Sequence, residues 1–193
     1  MTAEKEFPQF LATQRLDLRP YVNADALMLW TLIEGNRDLL QRNFAPLTKA
    51  LAQLAGATNF VTESTNKWKA RKEYVFGVWQ RTPHELVGQI KIKNIAWEIP
   101  AAELSYFISR FAHRQGFATE ALEAVVVSAF DALHFERLFL RIIASNIESV
   151  GLAKKLGFRR EGLHRSDFRC GFDQLHDVYS FARLRRDPVP RLW

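Results

Sequence analysis

The segment His113-Arg114-Gln115-Gly116-Phe117-Ala118-Thr119-Glu120-Ala121-Leu122 carries the clearest chemical signal in this chain. A glycine ahead of a helix lets the backbone turn tightly, and the first helical N–H groups have no partners within the helix. Those N–H groups and the positive end of the helix dipole make a ready site for phosphate. Arg114 adds a positive charge beside it. The same letters also fit a plain strand-to-helix turn, and the decapeptide alone leaves the two readings level.

A second segment, Asn146-Ile-Glu-Ser149 followed by Lys155-Leu-Gly-Phe158, is weaker in isolation. Ser145 with Glu148 fits an S-x-x-E capping box, so the segment can simply start a helix, and Gly157 can simply end it. Cys170 is the only cysteine, which excludes an intramolecular disulfide and a multi-cysteine zinc site. No histidine can be paired with it from the sequence. The five histidines have no metal-ligand spacing, and no metal site is expected.

These segments need elements to hold them. Leu16–Tyr21 alternates like a strand, and Asn23 opens a helical stretch with Ala26, Leu27, Trp30 and Ile33 on one side. Residues 50–70 form a weaker helix. Strands are expected at Tyr74–Gln80, Leu86–Ile95 and Glu103–Ser109, with a turn at Thr82-Pro83-His84 and an interruption at Pro100. Phe117–Leu133 spaces its apolar residues by three and four, as an amphipathic helix does. Leu138–Ala144 is nearly all apolar, as a strand covered on both faces should be. A short helix over Ser145–Leu156 and strands near Phe158–His164 and Asp177–Leu184 complete the pattern. The segment Arg165–Asp173 is left as their connection. Helices alternating with strands around a mixed sheet define an α/β (α+β) three-layer domain, with residues 1–193 as one unit.

Composition narrows the partners. The 193 residues are 48% hydrophobic and 25% charged, which is globular rather than disordered. No apolar run approaches the roughly 20 residues of a membrane span. The N-terminus mixes charges without an apolar core, so no secretory signal is expected, and a cytoplasmic location follows. The net charge of +6 favours anionic partners such as a small ligand dense in phosphate. No nucleic-acid module is present.

Taken together, the order and spacing of the two segments resemble the GNAT superfamily of acyl-CoA-dependent N-acetyltransferases. Within it the chain is most similar to the ribosomal-protein acetyltransferases of N-terminal serine or alanine. The likeness is carried by Thr13-Gln-Arg-Leu-Asp-Leu-Arg-Pro20, Leu86-Val-Gly-Gln89, Ala102-Glu-Leu-Ser-Tyr-Phe-Ile108, Gly116-Phe-Ala-Thr-Glu-Ala-Leu122 and Phe172–Leu184. It departs from the pattern at three places. His113 replaces the usual Gln or Arg, Ser105 stands where many relatives have Gly, and Ala153 occupies the position of a tyrosine general acid.

The resemblance implies a fold, a cosubstrate and roles. The fold is a mixed, mostly antiparallel sheet flanked by helices, and the cosubstrate is acetyl-CoA. The loop Arg114, Gln115, Gly116, Phe117, Ala118 and Thr119 would hold the pyrophosphate. The backbone after Phe107, at Ile108 and Ser109, would polarise the thioester, and Asn146 would bond the pantetheine amide. Glu103 would act as base, with Asp167 as second choice, and Ser149 would protonate the leaving thiolate. An α-amine is neutral about one time in seven at pH 7, a lysine amine about once in a few thousand. An N-terminal acceptor therefore asks less of a base. A small amine as acceptor, a non-catalytic acyl-CoA-binding protein and a homodimer all stay open. The acceptor pocket is expected from residues 36–72.

Overall fold

The computed structural model describes residues 6–190. Its frame is one eight-stranded sheet in the order β1-β2-β3-β4-β5-β6-β8-β7. The strands are β1 (Leu11–Ala12), β2 (Leu16–Arg19), β3 (Tyr74–Gln80), β4 (Glu85–Ala96), β5 (Ala101–Ile108), β6 (Arg137–Ile143), β7 (Arg159–Arg169) and β8 (Leu175–Leu184). Helices α1 (Ala26–Gly35), α2 (Arg37–Asn43), α3 (Ala45–Ala50) and α4 (Leu54–Lys69) separate β2 from β3. Helices α5 (Phe117–Ala132) and α6 (Ile147–Lys155) precede and follow β6. Every strand pair is antiparallel except β5 with β6.

The period-two alternation of the strands feeds two apolar layers. Phe76, Val78, Ile90, Ile92 and Leu104 pack with Leu122, Val125 and Val126 of α5. On the other face Val75 and Trp79 pack with Leu29 and Ile33 of α1 and Val61 of α4. Strand β3, covered on both faces, is buried from Tyr74 to Trp79. Strand β4 is equally central but alternates Gln89, Lys91 and Lys93 with its apolar residues, and that row lies on the α1–α4 face.

The N-terminal strands are tied to α5 by one carboxylate. Glu120 accepts from Thr13 Oγ1 at 2.6 Å, from the Arg15 backbone N–H at 2.7 Å and from Arg15 Nε at 2.8 Å. The Arg15 guanidinium also donates to the Gln115 carbonyl at 2.8 Å and lies over the Phe117 ring.

Four expectations shift. Helix α1 buries Ala26, Leu29, Leu32 and Ile33 while Leu27 is 56% exposed, so its inner face is rotated from the one expected. The stretch from 50 to 70 divides between the end of α3 and α4, and α2 lies ahead of it. Helix α6 is capped by Asn146, whose Oδ1 accepts from Ser149 N–H at 3.1 Å; it therefore starts at Ile147 rather than through a Ser145–Glu148 box. Finally, Arg165–Arg169 belongs to β7 rather than to a connection. As the edge of the sheet, β7 is nearly all exposed and lacks the apolar alternation that marks a half-buried strand.

Candidate active site

The parallel ladder between β5 and β6 has only three rungs, Ala101↔Arg137, Ala102↔Leu138 and Glu103↔Phe139. Beyond Glu103 the two strands separate. Ser109 N–H donates to the Val87 carbonyl at 2.7 Å. By alternation the N–H of Phe107 then faces β4, and those of Tyr106 and Ile108 face the gap.

Two cavities occupy this gap. One, of about 420 Å³, lies on the α3–α4 side beneath Phe44, Leu47 and Phe60. Its floor is a grid set by the β4–β5 register: Lys93 opposite Glu103, Lys91 opposite Ser105, and Gln89 opposite Phe107. The other, of about 630 Å³, runs between α2, the end of β5, the loop before α5 and the start of α6. Asn43, Phe44, Tyr106, Phe107, Ile143, Asn146 and Ser149 line both, so the cavities meet at these residues.

The loop before α5 has the conformation its glycine suggests. Gly116 takes φ +80° as the residue ahead of the helix, and Arg114 is also left-handed at φ +59°. The His113 ring donates from Nε2 to the Ile108 carbonyl at 2.9 Å, tying the loop to the end of β5. Of the residues expected to hold a cofactor, Ile108, Arg114, Gly116, Phe117, Ala118, Thr119 and Asn146 line the larger cavity. Ser109 and Gln115 do not. Ser109 is turned inward, 3.2 Å from Asn36 Nδ2, and Asn36 Oδ1 accepts from Arg110 N–H at 2.8 Å. The Gln115 amide points back to the Phe111 carbonyl at 3.4 Å. This set fits a phosphate-bearing ligand, because the positive end of α5 meets a glycine turn and Arg114 at the cavity wall.

Glu103 is buried at the floor of the smaller cavity. Asn94 Nδ2 donates to its Oε2 at 2.6 Å, and Lys93 Nζ lies 3.2 Å from its Oε1. Asn94 sits at φ +50° in a bulge of β4, which lets it reach across to β5. Ser149 lies in the shared wall near Tyr106. The Tyr106 hydroxyl is buried and lacks a partner at hydrogen-bonding geometry among the described residues. Burial pushes its pKa up to about 12, and nearby Ser149 offsets part of that rise. Asp167 is paired with Arg141 at 2.6 Å and lines neither cavity, so the second-choice base lies off the site. Cys170 is buried at the β7–β8 turn and also lies outside both cavities. Ala153 is fully buried in the core.

Sequence reasoning missed Lys91, Lys93, Asn94 and Tyr106. The alternation Gln89-Ile-Lys-Ile-Lys93 was the available signal, since a strand covered on both faces should be apolar throughout. Nothing local marks Asn94 as a bulge residue.

Comparisons with known proteins bear on the family and the fold. Residues 15–159 match the model of the acetyltransferase (GNAT) domain. The chain belongs to this GNAT acetyltransferase family. Its class is that of the acyl-CoA-dependent N-acetyltransferases. It is 27% identical over 177 residues to the uncharacterised N-acetyltransferase p20 of Bacillus licheniformis, covering 92% of this chain and 97% of that one. A candidate ribosomal-protein-serine acetyltransferase from Vibrio cholerae superposes with TM-score 0.75 at 28% identity, over 91% of this chain and 97% of that one. RimL, a ribosomal L7/L12 alpha-N-protein acetyltransferase solved with coenzyme A, superposes with TM-score 0.83 at 18% identity, over 91% and 97% of the chains. At that identity the last likeness speaks for the fold. Among the described residues no helix is long and apolar enough to cross a membrane.

Proposed function

We propose that this enzyme transfers the acetyl group of acetyl-CoA directly to the α-amine at a protein N-terminus, a ribosomal protein being the leading class. The observation that carries the reading is the pair of cavities that meet at Tyr106, Phe107, Asn146 and Ser149. One cavity suits a long phosphate-bearing cosubstrate, the other an acceptor, and direct attack needs both held together. The ribosomal-protein names of similar structures support the acceptor class.

Acetyl-CoA supplies the activated acetyl group as a thioester. The backbone of Arg114 and of Gly116–Thr119 binds its pyrophosphate at the start of α5. Ile108 N–H, facing the gap, donates to the carbonyl oxygen as charge develops there. Asn146 Nδ2 is left for the pantetheine, because its Oδ1 already caps α6. Glu103 lies four residues from Phe107, about 13 Å along the strand. It therefore takes the amine proton along a chain of several waters, with its carboxylate held by Asn94. Ser149, in the shared wall, gives its proton to the departing thiolate and takes one back from solvent water. No covalent relay is needed, and Cys170 lies outside both cavities.

The test is thiol release from acetyl-CoA with matched N-terminal peptides, lysine peptides and small amines. Turnover of N-terminal peptides at the highest kcat/KM is expected. Efficient turnover of small amines or lysine side chains alone would overturn the acceptor class, and thiol release with no amine would overturn the reaction.

A further inference from the structure

We infer that Lys91 is a specificity residue that selects acceptors carrying an anionic group close to the reacting amine and rejects polycationic ones. The inference rests on the smaller cavity being the acceptor side. Lys91 occupies the middle of that cavity's floor, opposite Ser105 and between the Lys93–Glu103 pair and Phe107. A lysine there is costly. It sits on a central strand, under the Phe60 ring at 5.6 Å, with a side chain only 20% exposed.

Its carboxylate partner is shared. The nearest carboxylate, Glu73, is 3.4 Å from Lys91 Nζ but is shared with Lys67 at 3.6 Å. Glu103 is engaged by Lys93. Arg141, which also lines the cavity, is matched by Asp167. Glu73 is thus divided between Lys91 and Lys67, with Glu73 and Lys67 both outside the floor, while the exposed Glu63 meets Lys67 only at 3.9 Å. Burial lowers the pKa of Lys91, Glu73 offsets part of this, and Lys67 and Lys93 add to the lowering. An anionic group brought by the acceptor would relieve that repulsion, whereas a second ammonium would add to it.

The position sets which group is sensed. Lys91 lies one strand period, about 7 Å, from the Gln89–Phe107 end where the cavities meet. An extended peptide advances about 3.5 Å per residue. With the amine at the junction, the side chain of residue two or three comes over Lys91. The acceptor class is then an N-terminus followed closely by Asp or Glu.

The test uses peptides that begin Ser-Glu, Ser-Gln and Ser-Lys and are otherwise identical. Steady-state acetyl transfer would be paired with calorimetry of each peptide on the coenzyme A complex. Ser-Glu should exceed Ser-Lys by about tenfold or more in kcat/KM, the equivalent of about 1.4 kcal/mol. The dissociation constants should follow the same order. Lys91→Gln should collapse the ratio to about twofold or less while Lys91→Arg keeps it; coenzyme A affinity checks that both variants are folded. Equal rates in the wild type, or a preference that survives Lys91→Gln, would overturn the inference. If no peptide is acetylated, the N-terminal reading falls by itself. Glutamate and putrescine, run with the same variants, then decide the charge selection: preference for putrescine sinks it, and preference for glutamate that Lys91→Gln abolishes upholds it.

Discussion

Glu103 is a buried carboxylate with both oxygens engaged, one by the Asn94 amide and one by the Lys93 ammonium. A carboxylate so constrained is oriented rather than free, which suits the end of a chain of waters that carries a proton. Glu103→Gln should lower kcat by about 10² or more. The loss should shrink at high pH, where more of the acceptor amine is already neutral, and a kcat–pH profile would show it. Ser149→Ala should lower kcat with little change in coenzyme A affinity. An unaltered rate would remove Ser149 as the acid. Glu103 and Ser149, which line the cavities, were legible as candidates because family motifs fix their spacing. The sequence hid Asn94 and Lys93, because they act through a bulge and a cross-strand register that exist only once β4 and β5 pair.

At the scale of elements, two glycines make separable predictions. Gly116 at φ +80° precedes α5, where a β-branched side chain is strained and would intrude on the loop's anion face. Gly116→Val should therefore weaken coenzyme A binding severely in calorimetry. Unchanged affinity in a folded variant would show that the loop does not hold the pyrophosphate. Gly171 acts elsewhere. Its N–H donates to the Gln41 carbonyl at 3.0 Å, and an added Cβ would lie 2.4 Å from that oxygen. Gly171→Val should push the β7–β8 turn off α2 and disturb both cavities, raising the acceptor KM through Phe168 and the coenzyme A Kd through Leu39, Leu40 and Arg42. Unchanged KM and Kd in a folded variant would contradict this. Elements with an unbroken apolar pattern were legible in the sequence: β3 at Tyr74–Gln80 and α5 from Phe117 match closely. The polar edge strand β7 and the short helices α2 and α3 were not, because their form depends on the neighbours they dock against.

For the molecule as a whole, the link between the N-terminal strands and α5 hangs on Glu120. Burial alone would raise the pKa of its carboxyl, but the Thr13 hydroxyl and the Arg15 N–H groups outweigh that and hold it below the usual carboxylate range. A carboxylate whose folded pKa is depressed adds stability above its unfolded value of about 4.3, lost as pH falls through the folded value. Glu120→Gln should cost about 1 kcal/mol or more at pH 7 in urea unfolding. The deficit should fade below about pH 4. An equal deficit at pH 7 and pH 3 would mean that packing, rather than charge, makes the link.

The short ladder between β5 and β6 has a mechanical consequence. Five strands on one side and three on the other are joined by three rungs at one end, like the arms of tongs held at the pivot. A ligand seated between the arms acts as a keystone, since it can complete the bonds that Tyr106 and Ile108 N–H lack toward β6. Amide exchange at those two residues should slow markedly when coenzyme A is added; exchange that stays fast would mean that the ligand does not bond these N–H groups. With the keystone gone after turnover, the wall shared with the acceptor cavity loosens too, so departure of one product eases departure of the other.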